Sequence, residues 1–125
     1  MCQIIETPKY RMPTRKTIQA YKVFEIGDDE KPMNYGGDTI FEFGTILWNQ
    51  RRANKEDFGD QIGFQMFAYK KDALEYAGGY DKVCTITVKK EHIAKVGKTI
   101  VMPSRPKAYE ITQFEFTEEM WKNGI

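Results

Sequence analysis

Apolar residues in this chain return at every second position, in short runs, and helical spacing appears only in brief stretches. Gln19–Ile26 alternates Ala20, Lys22, Phe24 and Ile26 against Tyr21, Val23 and Glu25. β-Branched and aromatic residues stand on both sides of that run, which suits a strand inside a sheet. Ile62–Ala68 sets Ile62, Phe64, Met66 and Ala68 on one side, and Val83–Val88 sets Cys84, Ile86 and Val88 against Val83, Thr85 and Thr87. Thr39–Phe43 and Thr45–Trp48 read as strands joined at Gly44, and Thr99–Met102 as a further one. Tyr109–Phe116 is extended, but its alternation slips at Gln113-Phe114, as a β-bulge would make it.

The breaks between these runs carry turn chemistry. Gly27 to Pro32, with Asp28-Asp29-Glu30 between them, ends the first run, and Asn34-Tyr35-Gly36-Gly37 marks a second turn. Residues 49–61 are polar apart from Ala53 and Phe58 and read as a loop. Helical spacing is found in Lys71–Ala77, where Ala73, Leu74 and Ala77 face one way and Gly78-Gly79 offers a left-handed C-cap. Glu91–Val96 reads as a helical turn ended by Gly97, and Thr117 as the cap of a last short helix that begins with Glu118 and Glu119. Strands without a regular βαβ rhythm predict an α+β fold, a mostly antiparallel sheet with two or three short helices.

At 125 residues, 41% of them apolar, the chain suffices for one domain and one core. Residues 19–125 form the expected domain. Residues 1–18 read as a basic N-terminal arm, flexible or draped on the surface, or in a sharper reading a basic tether for an acidic partner, because Lys9, Arg11, Arg15 and Lys16 surround Pro8 and Pro13. The formal net charge is only +1, so no global field draws the chain to nucleic acid or membrane. No apolar run approaches the ~18 residues of a membrane span, and no secretory signal is evident. Cys2 and Cys84 are too far apart for a CxxC motif and read as free thiols, so a cytoplasmic location is expected.

Chemistry-bearing motifs are scarce. His92 is the single histidine, which excludes every His-pair zinc pattern, and Asp28-Asp29-Glu30 lacks EF-hand spacing. Cys84 sits mid-strand among apolar neighbours, as a small core residue does. Val96-Gly97-Lys98-Thr99 imitates a phosphate loop, but His92 stands where the loop's first glycine is required. No metal or cofactor is expected. Binding candidates are Trp48, Arg51, Arg52 and Phe58, an aromatic and arginine group of the kind that concentrates interface energy, together with Arg105 between Ser104 and Pro106.

Two segments carry a resemblance. Ala20-Tyr21-Lys22-Val23-Phe24, then Gly63-Phe64-Gln65-Met66-Phe67 leading into Asp72-Ala73-Leu74-Glu75-Tyr76, resemble a group of small phage and bacterial domains. These open with a "YKVF" strand and place a "GF-x-x-F" strand before a short Ala/Leu/Tyr helix. A valine-rich strand follows, here Lys82–Val88. The same succession is distantly similar to ADP-ribosyltransferase-like folds, some of which are phage inhibitors of bacterial defence systems. That resemblance implies a Gln-x-Glu motif at Gln113-Phe114-Glu115, with Glu115 as the alternative catalytic carboxylate acting on NAD. The strand Gly63–Tyr69 has no Ser or Thr for the middle motif, and Tyr21-Lys22 stands where an NAD-holding Arg or His would open the first strand.

The leading expectation is therefore a small non-enzymatic interaction protein, of the phage inhibitor or regulator type, that binds a host protein. The alternatives are a binder of a nucleotide or NAD-derived ligand, or a degenerate transferase, and thirdly a structural or assembly protein. The sequence leaves the oligomeric state open.

Overall fold

The computed structural model describes residues 4–6, 10–34, 40–48 and 63–125. Its longest strands are β2 (Thr17–Ile26) and β6 (Asp81–Lys89), which pair antiparallel from Thr17↔Lys89 to Glu25↔Asp81. Both faces of this ribbon are covered, as the apolar residues on both sides of β2 require. Ala20, Phe24, Cys84, Ile86 and Val88 face one core layer, while Val23 and Val83 face the other.

The sheet continues through β1 (Ile4–Glu6), β3 (Pro32–Asn34), β5 (Phe64–Phe67), β7 (Ile93–Thr99) and β8 (Lys107–Ile111). Its order is β1-β7-β8-β5-β2-β3, with β6 on the remaining edge of β2. A separate two-stranded ribbon joins β4 (Gly44–Leu47) to β9 (Gln113–Phe116). All these ladders are antiparallel.

The β4–β9 ribbon closes the larger core layer. Phe114 and Phe116 point inward, and Phe116 stacks on Phe24 at 4.9 Å between ring centroids. Phe41, Phe64 and Trp48 surround them edge-on, with Trp48 5.1 Å from Phe64. Each buried phenyl side chain contributes roughly 1.5–3 kcal/mol. This aromatic cluster is therefore the principal apolar anchor of the fold. The second layer is covered by α1 (Lys70–Tyr76), whose Ala73 is buried against Val23, Phe67 and Val83.

The last helix, α2 (Glu118–Asn123), begins as its sequence predicts: Thr117 Oγ1 accepts a hydrogen bond from Met120 N at 3.1 Å. It ends at Gly124, whose φ of 62° lets the chain turn so that its carbonyl accepts from Thr85 N at 3.0 Å. Trp121 thereby lies edge-on to Phe24 and under the Lys82 ammonium.

Several local expectations are corrected. Among the described residues, helix comprises the seven residues of α1, the six of α2 and two 3-10 turns, so one helix reaches seven residues where two or three short helices were expected. Glu91–Val96 is not a helical turn: only Lys90–His92 is 3-10, and Gly97 lies inside β7 opposite Ala108. Burial between β1 and β8 outweighs the local signal. Strand β7 ends at Thr99, and Thr99–Met102 turns instead of extending. Gly78-Gly79 supplies no left-handed cap; Ala77 is extended, and Asp81 Oδ2 accepts from Gly78 N at 2.6 Å to close the turn. Of Thr39–Phe43, the described part forms only a bridge at Ile40 to Met33. The slip in Tyr109–Phe116 falls at Thr112, where the chain leaves the large sheet for the ribbon.

Candidate functional site

Strand β2 has one edge filled by β6, so β3 and β5 must share the other. Strand β3 pairs along Phe24–Ile26, and β5 meets β2 at the single register pair Tyr21↔Phe67. The sheet therefore divides between β2 and β5. One part is β6-β2-β3 and the other is β5-β8-β7-β1.

Buried polar groups lie on both sides of this division. Among the described residues, the buried polar or charged side chains are Lys22, Thr99 and Glu110. Lys22 is only 4% exposed because strand alternation places it between Ala20 and Phe24 on the core face. Its Nζ donates to Asn34 Oδ1 at 3.3 Å and stands 5.3–5.7 Å from the ring centroids of Phe24, Phe41 and Phe64. Ring faces are electronegative, so they and the amide oxygen replace part of the water that a buried ammonium loses.

The other sheet face carries a second polar group. Glu110 on β8 stands opposite Gln65 on β5 and Lys95 on β7. Thr99 Oγ1 donates to Gln65 Oε1 at 2.6 Å and accepts from Val101 N at 3.4 Å. Neither group was singled out from sequence. The signal for Lys22 was present, since period-two parity puts it on an apolar face; Glu110 carried no comparable mark.

The binding candidates are dispersed. Trp48 is half-buried, and its ring closes the aromatic core while its backbone N–H donates to Thr112 O at 2.9 Å. Arg105 is exposed in the turn before β8, with φ 47° and its N–H on Met102 O at 3.0 Å. Trp48 and Arg105 thus sit beyond opposite ends of β8. Arg51, Arg52 and Phe58 lie outside the described residues.

Glu115, the alternative carboxylate, is exposed on the outer face of the ribbon, where Thr45 Oγ1 donates to it. Its neighbours Phe114 and Phe116 face the layer that contains Phe24, whereas Tyr21 faces the layer with Phe67 and Val23. Strand β2 and the aromatic core therefore separate Glu115 from Tyr21.

Cys84 is fully buried, and burial pushes its thiol up to about 11, with Lys82 opposing the effect. His92 lies in the turn after β6, with Nε2 3.8 Å from Glu91 Oε1 and its carbonyl accepting from Thr112 N at 2.9 Å. The stretch from Cys84 to the end of β6 spans roughly 17 Å of extended chain, so the two do not meet. No cluster of three potential metal ligands occurs among the described residues. No helix among them is long and apolar enough to cross a membrane.

The outer surface is distinctive at the ribbon. Ten large apolar side chains are exposed among the described residues, and Ile40 (52%), Phe43 (46%) and Leu47 (62%) fall within one short stretch. Among the described residues, β4 pairs only with β9. Compared with models of protein families, with curated proteins and with solved structures, the chain gives no match.

Proposed function

We propose that this chain is a non-enzymatic interaction module that binds another protein through the β4–β9 ribbon. The observation that carries this reading is the exposure of Ile40, Phe43 and Leu47 beside a strand edge that bears no lysine, arginine or proline. Proteins ordinarily guard such edges with charges, prolines or bulges. An incoming chain would cover the apolar side chains and supply main-chain hydrogen bonds to β4, as strand-adding partners do. Arg51, Arg52 and Phe58, which follow β4 in the sequence, remain the candidates that sequence alone offers for contact with that partner. The inner row, Ile46, Phe114 and Phe116, holds the ribbon in place.

The test compares partner recovery by wild type, by Phe43→Ser plus Leu47→Ser, and by Leu74→Ser on the outer face of α1. The reading requires a partner retained by wild type and by the α1 variant and lost by the ribbon variant, with all three equally folded. Equal recovery by all three would remove the ribbon from the account.

A second reading is a binder of a nucleotide-like anionic ligand at the division between β2 and β5. The Lys22 ammonium, held at this division by Asn34 and three aromatic rings, favours it, because a cation fixed in position attracts phosphate. Thermal shift with NAD, ADP-ribose and cyclic nucleotides tests it, since a ligand at a hundredfold its Kd stabilises a fold by about 2.7 kcal/mol. No shift with any of them would end it.

A further inference from the structure

The near-zero net charge conceals a separation of sign along the β2–β6 ladder. At one end, Thr17 stands opposite Lys89, and Lys90 N donates to Lys16 O at 2.8 Å. That bond holds Lys16, Lys89 and Lys90 within one strand spacing, roughly 5 Å. Arg11 and Arg15, in the segment that leads into β2, add two more exposed cations. None of these five side chains makes an ion pair among the described residues. The neighbouring carboxylate, Glu91, lies nearest to His92. At the opposite end, Glu25 faces Asp81 and the chain continues into Asp28, Asp29 and Glu30, so five carboxylates outnumber the two lysines there, Lys31 and Lys82.

Like charges on adjacent strands repel, and a surface selected only for solubility intersperses its signs. The ten residues of β2 span roughly 30 Å, several times the ~8 Å Debye length at physiological salt. The acidic end therefore cannot neutralise the basic one, and each acts on its own surroundings. Met12, 43% exposed, falls between Arg11 and Arg15 in the sequence and offers an apolar contact. Arginine and methionine are enriched where proteins meet.

We infer that this basic pole, built from Arg11, Arg15, Lys16, Lys89 and Lys90, docks an acidic segment of a protein partner. The inference rests on the reading of the chain as an interaction module and adds the chemistry of what it binds. A carboxylate-rich peptide suits the pole by charge complementarity, because five exposed cations gather there without an ion pair among the described residues. Tyr10, in the same segment, is half-buried with the Lys107 ammonium 5.3 Å from its centroid, so its own ring is already covered.

The test is fluorescence anisotropy with a labelled glutamate-rich peptide. It uses wild type, Lys16→Glu plus Lys90→Glu, Leu47→Ser on the ribbon, and Asp28→Lys plus Asp29→Lys at the acidic end. Binding should be saturable and weaken about tenfold or more from low to physiological salt. The Lys16/Lys90 reversal should abolish it, and the other two variants should leave the Kd within about twofold. Absence of peptide binding at low salt overturns the proposal, as does an unchanged Kd in the reversal. Tighter binding of a mixed-sequence oligonucleotide than of the peptide at the same pole also overturns it. If the peptide fails while partner recovery still depends on Phe43 and Leu47, only the basic pole falls. If recovery is insensitive to those two residues, the ribbon reading falls instead.

Discussion

Alkaline pH should unfold this protein in part through one thiol, and Cys84→Ala should blunt the loss. In the unfolded chain the thiol ionises near its ordinary 9.0; in the fold, burial holds it to about 11. Below 9.0 both states keep the proton and the thiol adds no pH dependence. Between 9.0 and about 11 the unfolded chain releases its proton first, so stability falls as pH rises. About two pH units at ~1.4 kcal/mol each give a loss of about 3 kcal/mol, complete once pH passes the folded value. Alanine leaves a small cavity and lowers stability at neutral pH by about 1 kcal/mol, but removes the ionisation. Urea unfolding of both proteins across this range isolates Cys84, because every other side chain is the same in the two. The profiles should converge or cross as pH rises. Parallel profiles would show that Cys84 is not buried as a protonated thiol and would reopen a reactive-cysteine role.

Three further outcomes follow from packing. A Cβ on Gly63 would stand 2.5 Å from Ile111 O, so Gly63→Ala should force β5 from β8 and cost about 1–3 kcal/mol in urea unfolding. Thr117→Ala removes the cap of α2 and should cost about 1 kcal/mol, with faster hydrogen exchange at Met120 N. Phe116→Ala empties the centre of the aromatic cluster and should cost about 3–5 kcal/mol, read as a lower denaturation midpoint.

The sequence carried local structure well where one signal acted alone. Gln19–Ile26 and Val83–Val88 became the long ladder because alternation and β-branching agree there. Thr117 caps α2 because a hydroxyl ahead of two glutamates has few other uses. Gly97 misled, since a glycine after an apolar stretch is a local stop signal, while the strand through it is fixed by neighbours distant in sequence, β1 and β8. The division between β2 and β5 was illegible for the same reason: which strands share an edge is a non-local fact. Lys22 was visible as a lysine on an apolar face, but its ring neighbours Phe41 and Phe64 come from separate segments. The basic pole was half-legible, since Arg11, Arg15 and Lys16 stood out while their pairing with Lys89 and Lys90 did not. Trp48 looked like an anchor because a polar stretch follows it; its ring packs against the core.

The most direct test of the partner-binding ribbon is site-specific photo-crosslinking in cells. A photoreactive residue is placed in turn at Ile40, Phe43, Leu47 and, as control, Leu74. The account predicts one adduct of the same mass from the three positions in and just before β4 and none from Leu74. Adducts of equal yield at all four positions, or none at the ribbon from a folded and abundant chain, would contradict it.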